Sequence, residues 1–175
     1  MLDIPCVKTF PNTKIIGLDN IKFGKNIIID DFVFIYATDE HVIGDYIHIA
    51  SFTSITGGGK CYLHDFVGLS SGCRILTGSE DFLGGGLTNP TIPSEFRAVK
   101  RGKVVIEKHA ILGVNAVVFP DVHIGEGCVV GAGSIVNKDL EPWGVYVGPT
   151  AKRIKERPRE KILEYEELLR RKYGS

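Results

Sequence analysis

From Phe23 onward an apolar residue returns at every sixth position, with a few interruptions. The series runs Phe23, Ile29, Ile35; Ile43, Ile49, Ile55; Leu63, Leu69, Ile75; Ile106, Leu112, Val118; Ile124, Val130, Val136. Four positions after each stands a mostly small or β-branched residue, including Val33, Thr53, Val67, Cys73, Ser79, Ala110, Ala116, Val122, Cys128 and Ser134. Asp39 and Leu140 are the poor fits in that column. An amphipathic helix repeats at 3.6 residues and a half-buried strand at 2, so neither explains a sustained six with one large and one small inward position. A six-residue unit predicts a short strand and a sharp corner. Three such units complete a triangular turn, and turns hydrogen-bond to one another at roughly 4.8 Å. The expected fold is an all-β solenoid over residues 1–157.

The interruptions predict where function lies. The spacing is 8 between Ile35 and Ile43, 8 between Ile55 and Leu63, and 31 between Ile75 and Ile106. Each follows the third unit of a turn, so all are expected to leave the prism at one vertical edge. That edge gathers Asp39, Glu40 and His41, then Gly57 to Tyr62, then a long protruding loop over 80–105. Val118 to Ile124 crosses it without insertion, carrying Pro120, Asp121 and His123. Loops on a rigid scaffold are where binding and catalysis concentrate. Beyond Pro142-Trp143-Gly144 the period stops. Val145 to Val147 predicts a last strand and Gly148-Pro149 a turn. Pro158 opens a helix over 158–175, with Ile162, Tyr165, Leu169 and Tyr173 on one face and Glu166–Arg170 and Glu167–Arg171 as i,i+4 pairs. This helix is expected to cover the solenoid's open end, where strand edges would otherwise be unpaired.

Composition narrows the class. Of 175 residues 43% are hydrophobic, enough for a core, and Ile plus Val outnumber Leu 36 to 12, which favours strand. Lys plus Arg equal Asp plus Glu at 21 each, so no global charge points to nucleic acid or an acidic membrane. The apolar runs are too short to span a bilayer, and the opening MLDIPCVKTFPN lacks the order of a secretory signal. Cys6, Cys61, Cys73 and Cys128 are scattered without CxxC spacing. They suit buried thiols in a reducing cytoplasm, not a zinc ribbon or a disulfide scaffold.

The units Ile106–Ile111, Leu112–Val117, Ile124–Val129 and Val130–Ile135 each carry an aliphatic residue, a small or acidic one, two free positions and a small inward one. In this they resemble the hexapeptide-repeat acyltransferases, over about residues 15 to 157. The resemblance implies a left-handed parallel β-helix, a hand opposite to the general rule for parallel crossovers. It also implies a homotrimer with acyl-CoA lying between subunits. Val147-Gly148-Pro149-Thr150-Ala151-Lys152-Arg153-Ile154 is similar to the terminal V-G-x-P-A-K-x-I signature of small sugar O- and N-acetyltransferases of surface-polysaccharide pathways, with the proline one place early. Ser79-Glu80-Asp81-Phe82 with Leu87-Thr88-Asn89-Pro90 resembles their substrate loop. Galactoside-type members place a catalytic histidine after Thr-Gly, where this chain reads Thr77-Gly78-Ser79.

Acyl transfer from a thioester needs a base for the nucleophile's proton and donors for the oxyanion. His64 and Glu107 occupy the same column in successive turns, so Glu107 is expected to orient His64 as a general base. Glu80 and Asp81, at the start of the loop, are the next candidates, Ser79 being taken as inward. His109, projecting from the turn after the loop, is a further one. For the acetyl-CoA co-substrate, Lys152, Arg153 and Lys155 with Arg157 form a basic cluster suited to phosphates, and the N–H groups of Gly113 and Gly131 are candidates for the pantetheine arm. Gamma-class carbonic anhydrases share the solenoid but need three converging histidines. Here the five histidines are spaced by 7, 16, 45 and 14, so no metal is expected. A non-catalytic scaffold would have no use for the long loop. The expected activity is acetyl transfer to an amino group of a nucleotide-linked deoxyamino sugar, with a galactoside-type O-acetyltransferase as the alternative. Its expected partner is that small-molecule sugar, with no nucleic acid and no membrane.

Overall fold

The computed structural model describes residues 2–174. Met1 and Ser175, the outer ends of the expected solenoid and helical segments, lie outside the described residues. The six-residue period folds as a three-sided coil. One face has six parallel strands: Lys14–Ile16, Phe34–Tyr36, Ser54–Thr56, Arg74–Leu76, Val117–Val118 and Ile135–Val136. The next has five: Ile21–Phe23, His41–Ile43, Lys60–Leu63, Lys103–Ile106 and His123–Ile124. The third has eight, from Val7–Lys8 through Ile27–Ile29, His48–Ile49, Gly68–Leu69, Ile111–Leu112 and Val129–Val130 to Gly144–Val147, closed by the antiparallel Lys152–Glu156.

Register turns the sequence column into ladders of like residues. Ile29, Ile49, Leu69, Leu112 and Val130 stack on one face. Ile35, Ile55, Ile75, Val118 and Val136 stack on the second, and Ile43, Leu63, Ile106 and Ile124 on the third. All the large column residues are buried except Phe23, which is partly so. The breaks after Ile35, Ile55 and Ile75 all exit between the six-stranded and five-stranded faces, as their spacing predicts.

The long excursion leaves the solenoid earlier than the period suggests. Thr77 is the last inward residue: its hydroxyl donates to the Thr56 carbonyl at 3.0 Å and accepts from the Gly59 N–H at 3.0 Å. Gly78–Glu80 then pairs antiparallel with Val99–Arg101. Ser79 is therefore not an inward residue. It is half-buried on the outer side of the edge. Gly57 (φ +114) must lack a side chain here, because a Cβ would lie 2.2 Å from the Gly78 nitrogen.

The corner between the five- and eight-stranded faces carries a ladder of positive-φ residues, Tyr46, Phe66, His109 and Trp143. Such backbone is uncommon for bulky side chains; here ring stacking accompanies it, with Tyr46 on Phe66 at 5.1 Å and Phe66 on His109 at 5.0 Å. Against this corner lies helix α1 (Glu160–Tyr173). It does not cap the solenoid's end as the sequence suggests. The Lys152–Glu156 strand covers that edge, and α1 runs back along the corner. Ile162 and Leu169 are half-buried, but Tyr165 and Tyr173 are exposed, because the face that docks is polar, centred on Glu166 and Arg170. No described helix is long and apolar enough to cross a membrane.

Each rung is locked to the ones above and below, so a hole in the ladder has no slack to collapse into. Leu69→Ala is expected to cost about 2–5 kcal/mol, measured as a lower urea midpoint with an unchanged slope.

Candidate active site

Two clefts flank the root of the excursion. The first, of about 350 Å³, is lined by Tyr36, Gly57, Gly58, Ser79, Arg97 and Arg101 among others. Arg97 is ion-paired to Glu80, with both side chains largely buried, and Asp81 Oδ2 accepts the Gly85 N–H at 2.6 Å. Both loop acids thus brace the excursion, and Glu80 reaches the cleft already neutralised by its arginine. Arg101 packs over the Gly57–Gly58 turn, its Nε only 3.1 Å from where a Gly58 Cβ would stand. The arrangement presents guanidinium groups beside glycine backbone, chemistry suited to an anion.

The second cleft, of about 340 Å³, lies on the five-stranded face where the excursion re-enters. Lys103, Val105, Glu107, Asp121, His123 and Asp139 line it. Here the structure brings together a carboxylate and two imidazoles from three successive rungs. Glu107 Oε1 is 3.0 Å from His123 Nε2, while its Oε2 is 3.8 Å from His64 Nε2. The hydrogen-bonded partner is therefore His123 and not His64, the residue that shares the Glu107 column. His64 follows the four-residue strand Lys60–Leu63, so it stands about 13 Å along the face from the loop's exit. The signal for His123 was present: it directly precedes inward Ile124, so it points outward one rung from Glu107.

The remaining candidates have structural surroundings. His109 is buried under α1, stacked on Phe66, with Nε2 2.7 Å from Glu166 Oε2. It therefore does not open to either cleft. Lys108, 2.7 Å from Glu166, and Arg170, which bridges Glu166 and Asp65 at 2.8 Å each, complete a polar clasp. Arg157 Nη1 donates to the carbonyls of His109 and Gly127, so it braces two successive turns. The N–H groups of Gly113 and Gly131 donate to Val130 and Tyr146 carbonyls, both at 2.7 Å. Neither is free for a pantetheine arm; these glycines are required because a Cβ would strike the next rung. Lys152, Arg153 and Lys155 are exposed on the last, edge strand of the eight-stranded face. Among the described residues no group of three or more His, Cys, Asp or Glu side chains is placed so that it could hold a metal ion.

Residues 103–138 match the model of the hexapeptide repeat of succinyl-transferase. Over 165 residues, 94% of this chain and 85% of the relative, the sequence is 41% identical to dTDP-4-amino-4,6-dideoxy-D-glucose acyltransferase of Escherichia coli. The chain belongs to the hexapeptide-repeat acyltransferases. Among solved members of this family, AntD, an N-acyltransferase from Bacillus cereus, superposes with a TM-score of 0.91 at 38% identity, covering 98% of this chain and 90% of AntD, and holds dTDP and 3-hydroxybutyryl-CoA. An AntD variant with dTDP-4-amino-4,6-dideoxyglucose and coenzyme A gives 0.89 at 36% identity, covering 95% of this chain and 89% of the variant. Like these hexapeptide-repeat acyltransferases, the coil is a left-handed parallel β-helix.

The clasp has a pH signature. Burial pushes the Glu166 carboxyl up, but hydrogen bonds from Lys108, Arg170 and His109 outweigh it and hold the group at about 2, below its ordinary 4.5. A carboxyl lowered on folding stabilises the folded state above the unfolded value, and that contribution is lost as pH falls through the folded one. Glu166→Gln is therefore expected to be less stable than the parent at pH 7, with the gap in urea midpoint closing between pH 4.5 and about 2. A constant gap across that window would contradict the assignment.

Proposed function

We propose that the protein transfers an acetyl group from acetyl-CoA to the 4-amino group of dTDP-4-amino-4,6-dideoxyglucose or a closely related nucleotide-linked aminodeoxy sugar. It would act as a cytoplasmic homotrimer supplying surface-polysaccharide assembly. The observation that carries this reading is likeness over almost the whole chain to an acyltransferase of that sugar nucleotide, together with a relative of the same fold that holds a dTDP ligand and an acyl-CoA at once.

The chemistry on the page is compatible with direct transfer. The amine nitrogen attacks the thioester carbonyl, the C–S bond breaks, and coenzyme A leaves as the thiol. The buried thiols are poor nucleophiles for an acyl-enzyme, since burial pushes Cys61 up to about 12 and Cys73 up to about 11. In this reading Arg101, with Arg97, receives the sugar nucleotide's diphosphate in the cleft at the loop root. The imidazoles of His64 and His123, with the carboxylate of Glu107 between them, provide proton uptake. Lys152, Arg153 and Lys155 remain the candidates for the phosphates of coenzyme A. Glu80, paired with Arg97, and Asp81 hold the loop; His109 holds the helix.

Thiol release from acetyl-CoA, screened against amino-sugar nucleotides, tests the reading. Turnover is expected with the 4-amino-4,6-dideoxy sugar nucleotide and not with its 4-hydroxy counterpart. The reverse preference would favour the galactoside-type O-acetyl alternative, and no turnover with either would end both. A hydrogen bond to a charged group contributes about 1.5–3 kcal/mol. Arg101→Ala should accordingly raise the KM for the sugar nucleotide at least tenfold, with the KM for acetyl-CoA unchanged.

A further inference from the structure

We infer that His123, oriented by Glu107, is the proton acceptor for the attacking amine, and that Glu107 is its positioning residue. This rests on the proposed reaction and deepens it by assigning a base that the loop lacks.

Three observations point to His123. An ionised carboxylate only accepts hydrogen bonds, so the 3.0 Å contact between His123 Nε2 and Glu107 Oε1 places the ring proton on Nε2. Nδ1 is then left with a free lone pair. That is the tautomer and orientation a general base needs, the second nitrogen being fixed by a third group. The backbone is pinned as well: the His123 N–H donates to Asp139 Oδ1 at 2.7 Å, so the residue cannot slide along the ladder. Finally, the imidazole is half exposed and lines a cleft of about 340 Å³ immediately beside the returning limb of the excursion. His64 shares the carboxylate only at 3.8 Å, too long for a hydrogen bond, and so lacks the fixed tautomer.

The proton inventory closes. The amine reaches the thioester as the free base, and its nitrogen gains a bond to carbon. The N–H proton passes to His123 Nδ1 as the tetrahedral centre forms. The C–S bond then breaks and the imidazolium returns the proton to the departing sulfur, so neutral imidazole is regenerated with each turnover. The charged or titratable groups facing the ring are Glu107, His64, Lys103, Asp121 and Asp139. Glu107 is the one in hydrogen-bond contact with the ring itself.

The same kind of pair occurs elsewhere on the solenoid, which supplies a control. His48 Nε2 meets Asp30 Oδ2 at 3.0 Å on the eight-stranded face, away from the excursion. If a histidine–carboxylate rung serves only the fold, His48→Ala and His123→Ala should behave alike.

The experiment compares steady-state kinetics and pH profiles for the parent, His123→Ala, Glu107→Gln and His48→Ala, using acetyl-CoA and the amino-sugar nucleotide. His123→Ala is expected to lower kcat at least a hundredfold, the usual general-base magnitude, with both KM values within threefold. It should also abolish the acidic limb of the kcat profile. Glu107→Gln should lower kcat about tenfold and move that limb, while His48→Ala should leave kcat and the limb as in the parent. Activity of His123→Ala within threefold of the parent, or an unmoved limb in Glu107→Gln, would overturn the assignment while leaving the reaction intact. Equal losses in His123→Ala and His48→Ala would also overturn it, as a structural effect. Absence of turnover in the parent would instead remove the proposed reaction. Should His123→Ala fail to fold, the Glu107→Gln limb decides alone.

Discussion

The structure depends on stacking like on like at a fixed spacing. Every inward aliphatic residue meets its own kind one rung above and one below, and backbone hydrogen bonds hold the rungs at the spacing of a parallel sheet. Isoleucine, leucine and valine suit this because a branched side chain in one rotamer tiles against an identical neighbour without leaving a void. Regularity then removes freedom: a rung cannot be tilted, lengthened or skipped without breaking three ladders at once. Irregular backbone is confined to the corners, and long irregularity to a single corner. A rigid prism with one decorated edge follows from the column of residues spaced by six.

The corners show how local cost is balanced. Tyr46, Phe66 and His109 hold left-handed backbone, which a bulky residue adopts rarely. Their alignment at one edge lets their rings stack, and the stack becomes the surface on which α1 rests. The helix has no buried residue, so apolar burial cannot be its main anchor. Glu166 and Arg170 instead engage groups from two different rungs, with the Arg170 guanidinium over the Phe66 ring at 5.2 Å as well. Partly sheltered, charge-assisted contacts of this kind are stronger than ordinary surface pairs. The tail is thus held by electrostatics where the body is held by packing.

That contrast explains what was legible in the sequence. Inwardness along a solenoid is a one-dimensional property, so counting residues recovered the ladders and the edge shared by the breaks at 35–43, 55–63 and 75–106. Contacts between side chains that point outward are not one-dimensional. His64 and Glu107 stand in one column, yet the hydrogen bond goes to His123, which stands two places before that column's residue in its own rung, Gly125. Pairing Glu166 with Arg170 by i,i+4 spacing was sound, but that spacing is silent about which surface the pair meets, and its partners Asp65, Lys108 and His109 lie 57 to 105 residues away. The period carried to the end of its third unit places Ser79 inward, two residues past the point where the chain leaves the ladder. The departure is marked instead by Thr77, whose hydroxyl satisfies the two backbone groups left open where the ladder stops.

The two clefts share a wall, the root of the excursion from Val99 to Ile106, and differ in chemistry across it. On one side Arg97 and Arg101 face glycine backbone; on the other an imidazole and a carboxylate face Lys103. An acyltransferase must hold an anionic nucleotide and, separately, move a proton. Cations that bind phosphate would depress the basicity of an imidazole placed among them. Separating the functions across a strand only a few residues wide keeps them within reach of one substrate while shielding the base from the guanidinium charge. His123 remains about half exposed in the single chain, where water weakens the orienting effect of Glu107.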